Sequence, residues 1–165
     1  MMRRALGFGL WALAIATAAD AQAARQSAPV RYAVRVDALG GRLPSLQGGA
    51  TVSFPAGIYA RVDVTGAAGY RGAHGLESGG KATGRGDVMM RFLFDPIGEQ
   101  RWGLSAGAGV SMKELDVNRY RPVLLLGVET EGPMILKRFR PAFTAGLGGG
   151  WRAGFLLRTA PSSWR

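Results

Sequence analysis

From residue 30 to residue 158 the chain alternates apolar and polar residues with a period of two, segment after segment. In 30–37, Val30, Tyr32, Val34 and Val36 share one face, while Arg31, Ala33, Arg35 and Asp37 share the other. In 58–71, Ile58, Ala60, Val62, Val64 and Tyr70 oppose Arg61, Asp63, Thr65 and Arg71. In 84–95, Val88, Met90, Phe92 and Phe94 oppose Arg85, Asp87, Arg91 and Asp95. In 101–113, Trp102, Leu104, Val110 and Met112 oppose Ser105, Gly107, Ser111 and Lys113. The pattern is weaker in 121–131, where Leu124, Leu126 and Val128 oppose Arg121, Glu129 and Glu131. It returns in 141–157, where Phe143, Leu147, Trp151, Phe155 and Leu157 oppose Thr144 and Arg152. Only an extended strand sends successive side chains to opposite sides, so the chain is predicted to be all-β.

Glycine makes the same point from the other direction. It supplies 26 of 165 residues, and each interior glycine costs a helix about 0.5–1 kcal/mol against alanine, which excludes a helical bundle. Hydrophobic residues make up 47% and charged residues 19%, a balance too apolar for a disordered chain.

Seven segments stand out: 30–38, 46–54, 57–71, 84–94, 101–113, 121–131 and 139–158. The last is long enough for two strands folded at Gly148-Gly149-Gly150. A three-residue loop there keeps the alternation parity, and the parity is unbroken from Phe143 to Leu157; one long strand would keep it too. Single-chain bacterial membrane barrels have an even strand number, so about eight strands in one antiparallel up-and-down β-barrel are expected. Short connectors (54–57, 95–100, 131–134) alternate with long ones (39–47, 73–83, 114–120), as in a meander with one trimmed and one ragged end. The first six segments, of 9–15 residues, exceed the usual strand and suit the 9–11 residues that cross a bilayer at a tilt.

Residues 1–23 have the layout of a cleaved export signal: Arg3 and Arg4, an apolar run from Ala5 to Ala18, then small-x-small sites ending at Ala21 and Ala23. The run is too short to span a bilayer as a helix. The expected organisation is a signal peptide (1–23), a short linker (24–29), the barrel (30–158) and a tail (159–165). There is no cysteine and one histidine, which excludes disulfides, thiolate chemistry, a lipoprotein anchor and a multi-histidine metal centre. No cofactor is expected. The net charge is +10, and 18 of the 21 cations are arginine. That balance suits nucleic acid or an anionic membrane surface, but an exported chain does not meet nucleic acid, so none is expected as a partner.

A period-two barrel is either soluble with an oily centre or membrane-embedded with an oily wall. Three features favour the membrane. The polar face combines small residues with charges, including Gly103, Gly107 and Gly109, which would leave space for arginines in a narrow interior. Opposite charges share that face two residues apart: Arg35 with Asp37, Arg61 with Asp63, Arg85 with Asp87. Buried charges must be paired, so Arg31, Arg35, Asp37, Arg61, Asp63, Arg85, Asp87, Arg91, Glu129 and Arg152 are the candidate lumen ion pairs. Aromatic residues such as Tyr70, Phe94, Trp102, Trp151 and Phe155 tend to the apolar-face strand ends, like membrane girdles. A soluble periplasmic lipocalin-like barrel binding a small apolar ligand stays open as the alternative.

With its signal, its alternating strands, its lack of cysteine and the final run Gly-Trp-Arg-Ala-Gly-Phe-Leu-Leu-Arg (150–158), the chain resembles small bacterial outer-membrane barrels of the OmpA/OmpX/OmpW type over residues 28–158. It departs from them in being strongly basic and in placing Trp164 before a final Arg165. The resemblance implies an outer-membrane location, insertion by the barrel assembly machinery, outer-membrane lipid as a partner, a plugged lumen without bulk transport, and a structural or surface-binding role through the long loops. Neither sequence nor resemblance assigns an oligomeric state.

His74, Glu77 and Ser78 share one loop and resemble the residue types of the PagL-type lipid A deacylases. A nucleophile needs its base within about 2.6–3.2 Å and a third group holding that base. Three residues within five positions of one glycine-flanked loop carry no such fixing, so a solvated loop and no enzyme are expected. Gly146–Gly150 lacks the Lys-Ser/Thr and the helix of a phosphate-binding loop. Asp87, Asp95, Glu129 and Glu131 lack calcium-loop spacing. Arg42, Arg71, Lys81, Arg119 and Arg121 fall near the long-connector end and are candidate contacts for lipopolysaccharide phosphates, through the bidentate arginine fork; nonspecific attraction to a membrane surface is the plainer expectation.

Overall fold

The computed structural model describes residues 29–72, 80–95, 101–116, 119–136 and 138–159. The expected signal peptide (1–23), nearly all of the expected linker, the tail beyond Thr159, and His74, Glu77 and Ser78 lie outside these residues.

Each alternating segment is a strand: β1 (Arg31–Leu39), β2 (Ser45–Pro55), β3 (Ala60–Arg71), β4 (Lys81–Leu93), β5 (Gly103–Asp116), β6 (Arg119–Glu131), β7 (Phe139–Leu147) and β8 (Trp151–Thr159). Each pairs antiparallel with the next, and β8 pairs with β1, closing an eight-stranded up-and-down barrel. Closure leaves no free sheet edge along the paired length, which removes the usual template for aggregation.

The long last segment folds at Gly148-Gly149-Gly150. Gly149 has φ 64° and Gly150 φ 135°, conformations that side-chain-bearing residues rarely adopt. The Gly148 N–H donates to the Gly150 carbonyl at 2.8 Å. Leu147 therefore faces Trp151, and the three-residue turn preserves parity as the even spacing requires.

The expected contrast between a trimmed and a ragged end is absent. The strand bounds leave 5, 9, 2 and 3 residues between successive strands at one rim and 4, 9 and 7 at the other, which also holds both ends of the described chain. Polar stretches expected as loop are strand instead: Ser45–Gln47 opens β2, Lys81–Thr83 opens β4, and β5 and β6 run on to an Asp116↔Arg119 pair past a bulge at Glu114. Near a rim both strand faces are polar, so alternation fades while the backbone ladder continues.

The barrel is apolar outside and polar inside. Val34, Val64, Val88, Val110, Leu124 and Leu126 point outward and are exposed, whereas Arg61, Asp63 and Arg91 point inward and are buried. The one buried apolar cluster among the described residues is small: Ala33, Ala142 and Leu156, near the rim that holds the termini.

Candidate functional site

Two ion networks fill the lumen. The first hangs on Asp37 and Asp87. Arg35 clamps Asp37 with both fork nitrogens, at 2.6 and 2.7 Å. Arg85 bonds Asp37 and also reaches Asp87 at 3.1 Å. Arg152 donates to Asp87 at 2.8 Å, and Ser111 donates to its other oxygen at 2.5 Å. Thr51 and Thr65 share a bond of 2.7 Å, and Arg35 touches Thr51 at 3.4 Å.

The second network hangs on Glu129, Glu131 and Asp63. Arg158 donates to Glu129 at 2.6 and 3.1 Å and to Glu131 at 3.0 Å. Arg91 bonds Glu129 and pairs with Asp63 at 3.1 Å. Glu131 also meets Arg140 at 3.3 Å and Arg31 at 3.7 Å nearer the rim. Each carboxylate thus serves two or three arginines, because its two oxygens together accept about four hydrogen bonds, and Arg85, Arg91 and Arg158 each reach more than one acid because the guanidinium fork presents several donors. A cavity of about 30 Å³ lies between the networks, lined by Arg35, Asp87, Met89, Arg91 and Glu129 among others. That is room for a water or two.

The candidate lumen residues take these places, with one change of partner. Arg61 points inward and is buried, but it does not pair with Asp63. Among the described residues it donates a hydrogen bond to the Pro29 carbonyl at 3.4 Å, and the Asp63 carboxylate turns to Arg91 and Arg158. Arg61 sits nearer the rim than Asp63, so an acid two residues deeper finds better partners across the lumen. Arg158, the centre of the second network, was missing from the sequence candidates, although it shares an even-numbered face with Arg152 and period two alone places it inside. Thr51, Thr65 and Ser111 were also missed; hydroxyl residues on a polar face carry no signal of their own.

Gly107 and Gly109 do not make space for arginines as expected. A Cβ on Gly107 would lie 2.5 Å from the Met90 carbonyl oxygen, and one on Gly109 would lie 2.6 Å from the Met89 Cα. These glycines let the β4 and β5 backbones approach where the barrel curves. Gly154 is the glycine that makes room for a charge: a Cβ there would overlap the Asp37 carboxylate and lie 2.8 Å from the Thr144 hydroxyl. Gly154→Ala is expected to cost about 1–3 kcal/mol, as overpacking does. Chemical unfolding of the variant measures this; an unchanged midpoint would mean that Asp37 has slack.

Of the five candidate surface cations, Arg71 is buried and paired with Glu114 at 3.6 Å, so it faces the interior rather than a partner outside. It occupies an inward position on β3, and strand parity overrides its closeness to the rim. Lys81, Arg119 and Arg121 are exposed rim residues within strands, and Arg42 is exposed in the 40–44 connector. Arg42 and Arg121 line a cavity of about 470 Å³ at that mouth, together with Gly40, Gly41, Leu43, Lys113, Glu114 and Gly149. Lys113 and Glu114 were not among the candidates.

The outer wall is banded. Val, Leu, Ala and Met occupy its middle, while Tyr59, Phe94 and Trp102 ring one end and Tyr70, Tyr120 and Trp151 the other, all exposed. Phe143 and Phe155 meet edge-to-face on the outside, with centroids 5.2 Å apart. Among the described residues no group of three or more acidic or histidine side chains is placed to hold a metal ion. Comparison with family models, with curated proteins and with solved structures finds no match to this chain, so its chemistry rests on its own geometry.

Proposed function

We propose that the protein is an outer-membrane β-barrel with a plugged lumen and a structural or surface-binding role. The observation that carries this is the inverted wall: every strand turns aliphatic side chains outward over a charged, packed interior. Soluble monomers rarely expose contiguous apolar patches beyond a few hundred Å², and here the apolar band runs around the barrel. Its height also fits. Tyr59 and Tyr70 bracket β3 eleven residues apart, which at about 3.3 Å per residue and a tilt of about 40° is roughly 28 Å, against an apolar band of about 25 Å in known membrane barrels. Outer-membrane lipid is then the surrounding partner, and the assembly machinery that inserts such barrels is the route of entry.

The same interior argues against the alternatives. A carrier of small apolar ligands needs an apolar pocket of about 300–1,000 Å³; the cavity between the networks is only about 30 Å³, and the mouth cavity of about 470 Å³ is lined by Arg42, Lys113, Glu114 and Arg121. The networks also block the bulk passage a porin needs. No enzymatic step is part of this proposal.

The test is partition. The full chain expressed with its leader is expected in the membrane fraction, soluble only in detergent, and with a gel mobility that shifts on boiling. A monomer that stays in solution without detergent and shows no heat-modifiable band would overturn the proposal.

A further inference from the structure

We propose that the mouth between the 40–44 connector and the paired β5 and β6 at Lys113 and Arg121 binds a phosphate group, with Arg42, Lys113 and Arg121 as its donors. Three observations converge there. The first is a row of like charges: Arg85, Lys113 and Arg121 are direct cross-strand partners on β4, β5 and β6, an arrangement that destabilises a sheet unless something compensates it. Arg85 is compensated by Asp37 and Asp87. Lys113 and Arg121 have no carboxylate within ion-pair distance among the described residues.

The second is Lys113 itself. It is 7% exposed, it lines the cavity, and the charges that act on it are Arg152 and Arg85, which repel, and Asp87, already shared by two arginines. A largely buried ammonium with no carboxylate of its own favours a counter-charge in the cavity it lines. The third is the cavity, about 470 Å³, large enough for a phosphorylated headgroup or sugar. Its one lining carboxylate, Glu114, is paired with Arg71. Arginine forks and a lysine point charge together suit a phosphate's several oxygens.

The phosphate belongs either to a lipid headgroup, which depends on the membrane placement proposed above, or to a free phosphorylated solute, which does not. The full chain folded in zwitterionic micelles is titrated with inorganic phosphate by calorimetry. It is then placed in phosphatidylcholine nanodiscs with and without phosphatidic acid, and the lipid retained per barrel is measured. Saturable phosphate binding is expected, weakened about tenfold by Lys113→Gln, the loss of one charge-assisted contact, and several-fold by Arg42→Gln. Arg42 lies in a connector, so its variant tests the site without disturbing a strand. Arg138→Gln at the opposite rim is the control and should bind as the parent does. Selective retention of phosphatidic acid, lost in both site variants, identifies a headgroup; phosphate binding without it identifies a solute. Absence of saturable binding to either probe, or parental affinity in both Lys113→Gln and Arg42→Gln, overturns the site. If the chain proves soluble without detergent, the same phosphate titration in buffer still decides the site, while the membrane placement falls separately.

Discussion

Glu129→Ala is expected to destabilise the barrel by about 3–5 kcal/mol, the usual cost of removing one partner from a buried ion network. Glu129 is buried, and it is the shared acceptor for Arg91 and Arg158. Removing it leaves two guanidinium groups in a narrow interior, with Asp63 and Glu131 as their remaining carboxylates among the described residues. The loss is read as a shift in the urea midpoint of the folded barrel, followed by tryptophan fluorescence. Glu129→Gln keeps the shape and should still lose most of that amount, because the charge and not the volume is what the arginines lack. The double variant Glu129→Gln, Arg158→Gln should be less destabilised than the two single changes added together, since the second removes a charge that the first had orphaned. Strict additivity would mean that the network does not act as a unit.

Val88→Arg tests the outer wall. Val88 faces outward at the middle of β4, between Val64 on β3 and Val110 on β5. An arginine at the midplane of a membrane barrel costs about 2–4 kcal/mol, whereas an exposed substitution in water usually changes stability by less than about 0.5 kcal/mol. Urea unfolding in phosphatidylcholine vesicles measures the difference. Tyr70→Arg, at the aromatic end of the same wall, should cost much less, because a long cation there reaches the headgroups. Equal, near-zero effects at both positions would describe a wall that faces water and would remove the basis of the membrane proposal.

How far the sequence reaches is clearest in particular residues. The exposed Val34 and the buried Arg35 were separable by counting in twos; the Gly148–Gly150 turn was not, because a three-residue loop and one unbroken strand leave the same parity, and the strand count and the glycine run alone suggested it. Arg158 was equally legible through its spacing from Arg152, yet its importance was not, since nothing local ties it to Glu129 twenty-nine positions earlier. Arg61 and Asp63 show the opposite error: proximity in sequence suggested a pair that the lumen does not form.

Period two by itself determined that the chain is a set of strands with one greasy and one charged face, because a pleated backbone has no other way to place alternate side chains. The direction each face looks, the partners each charge finds, and the meeting of Lys113, Arg121 and Arg42 at one mouth were decided only when β8 closed on β1. Closure sets how the strands stagger, and the stagger sets which side chains from distant strands share a level. Ion pairing falls off over a few ångströms, so no pattern along a single strand can report it.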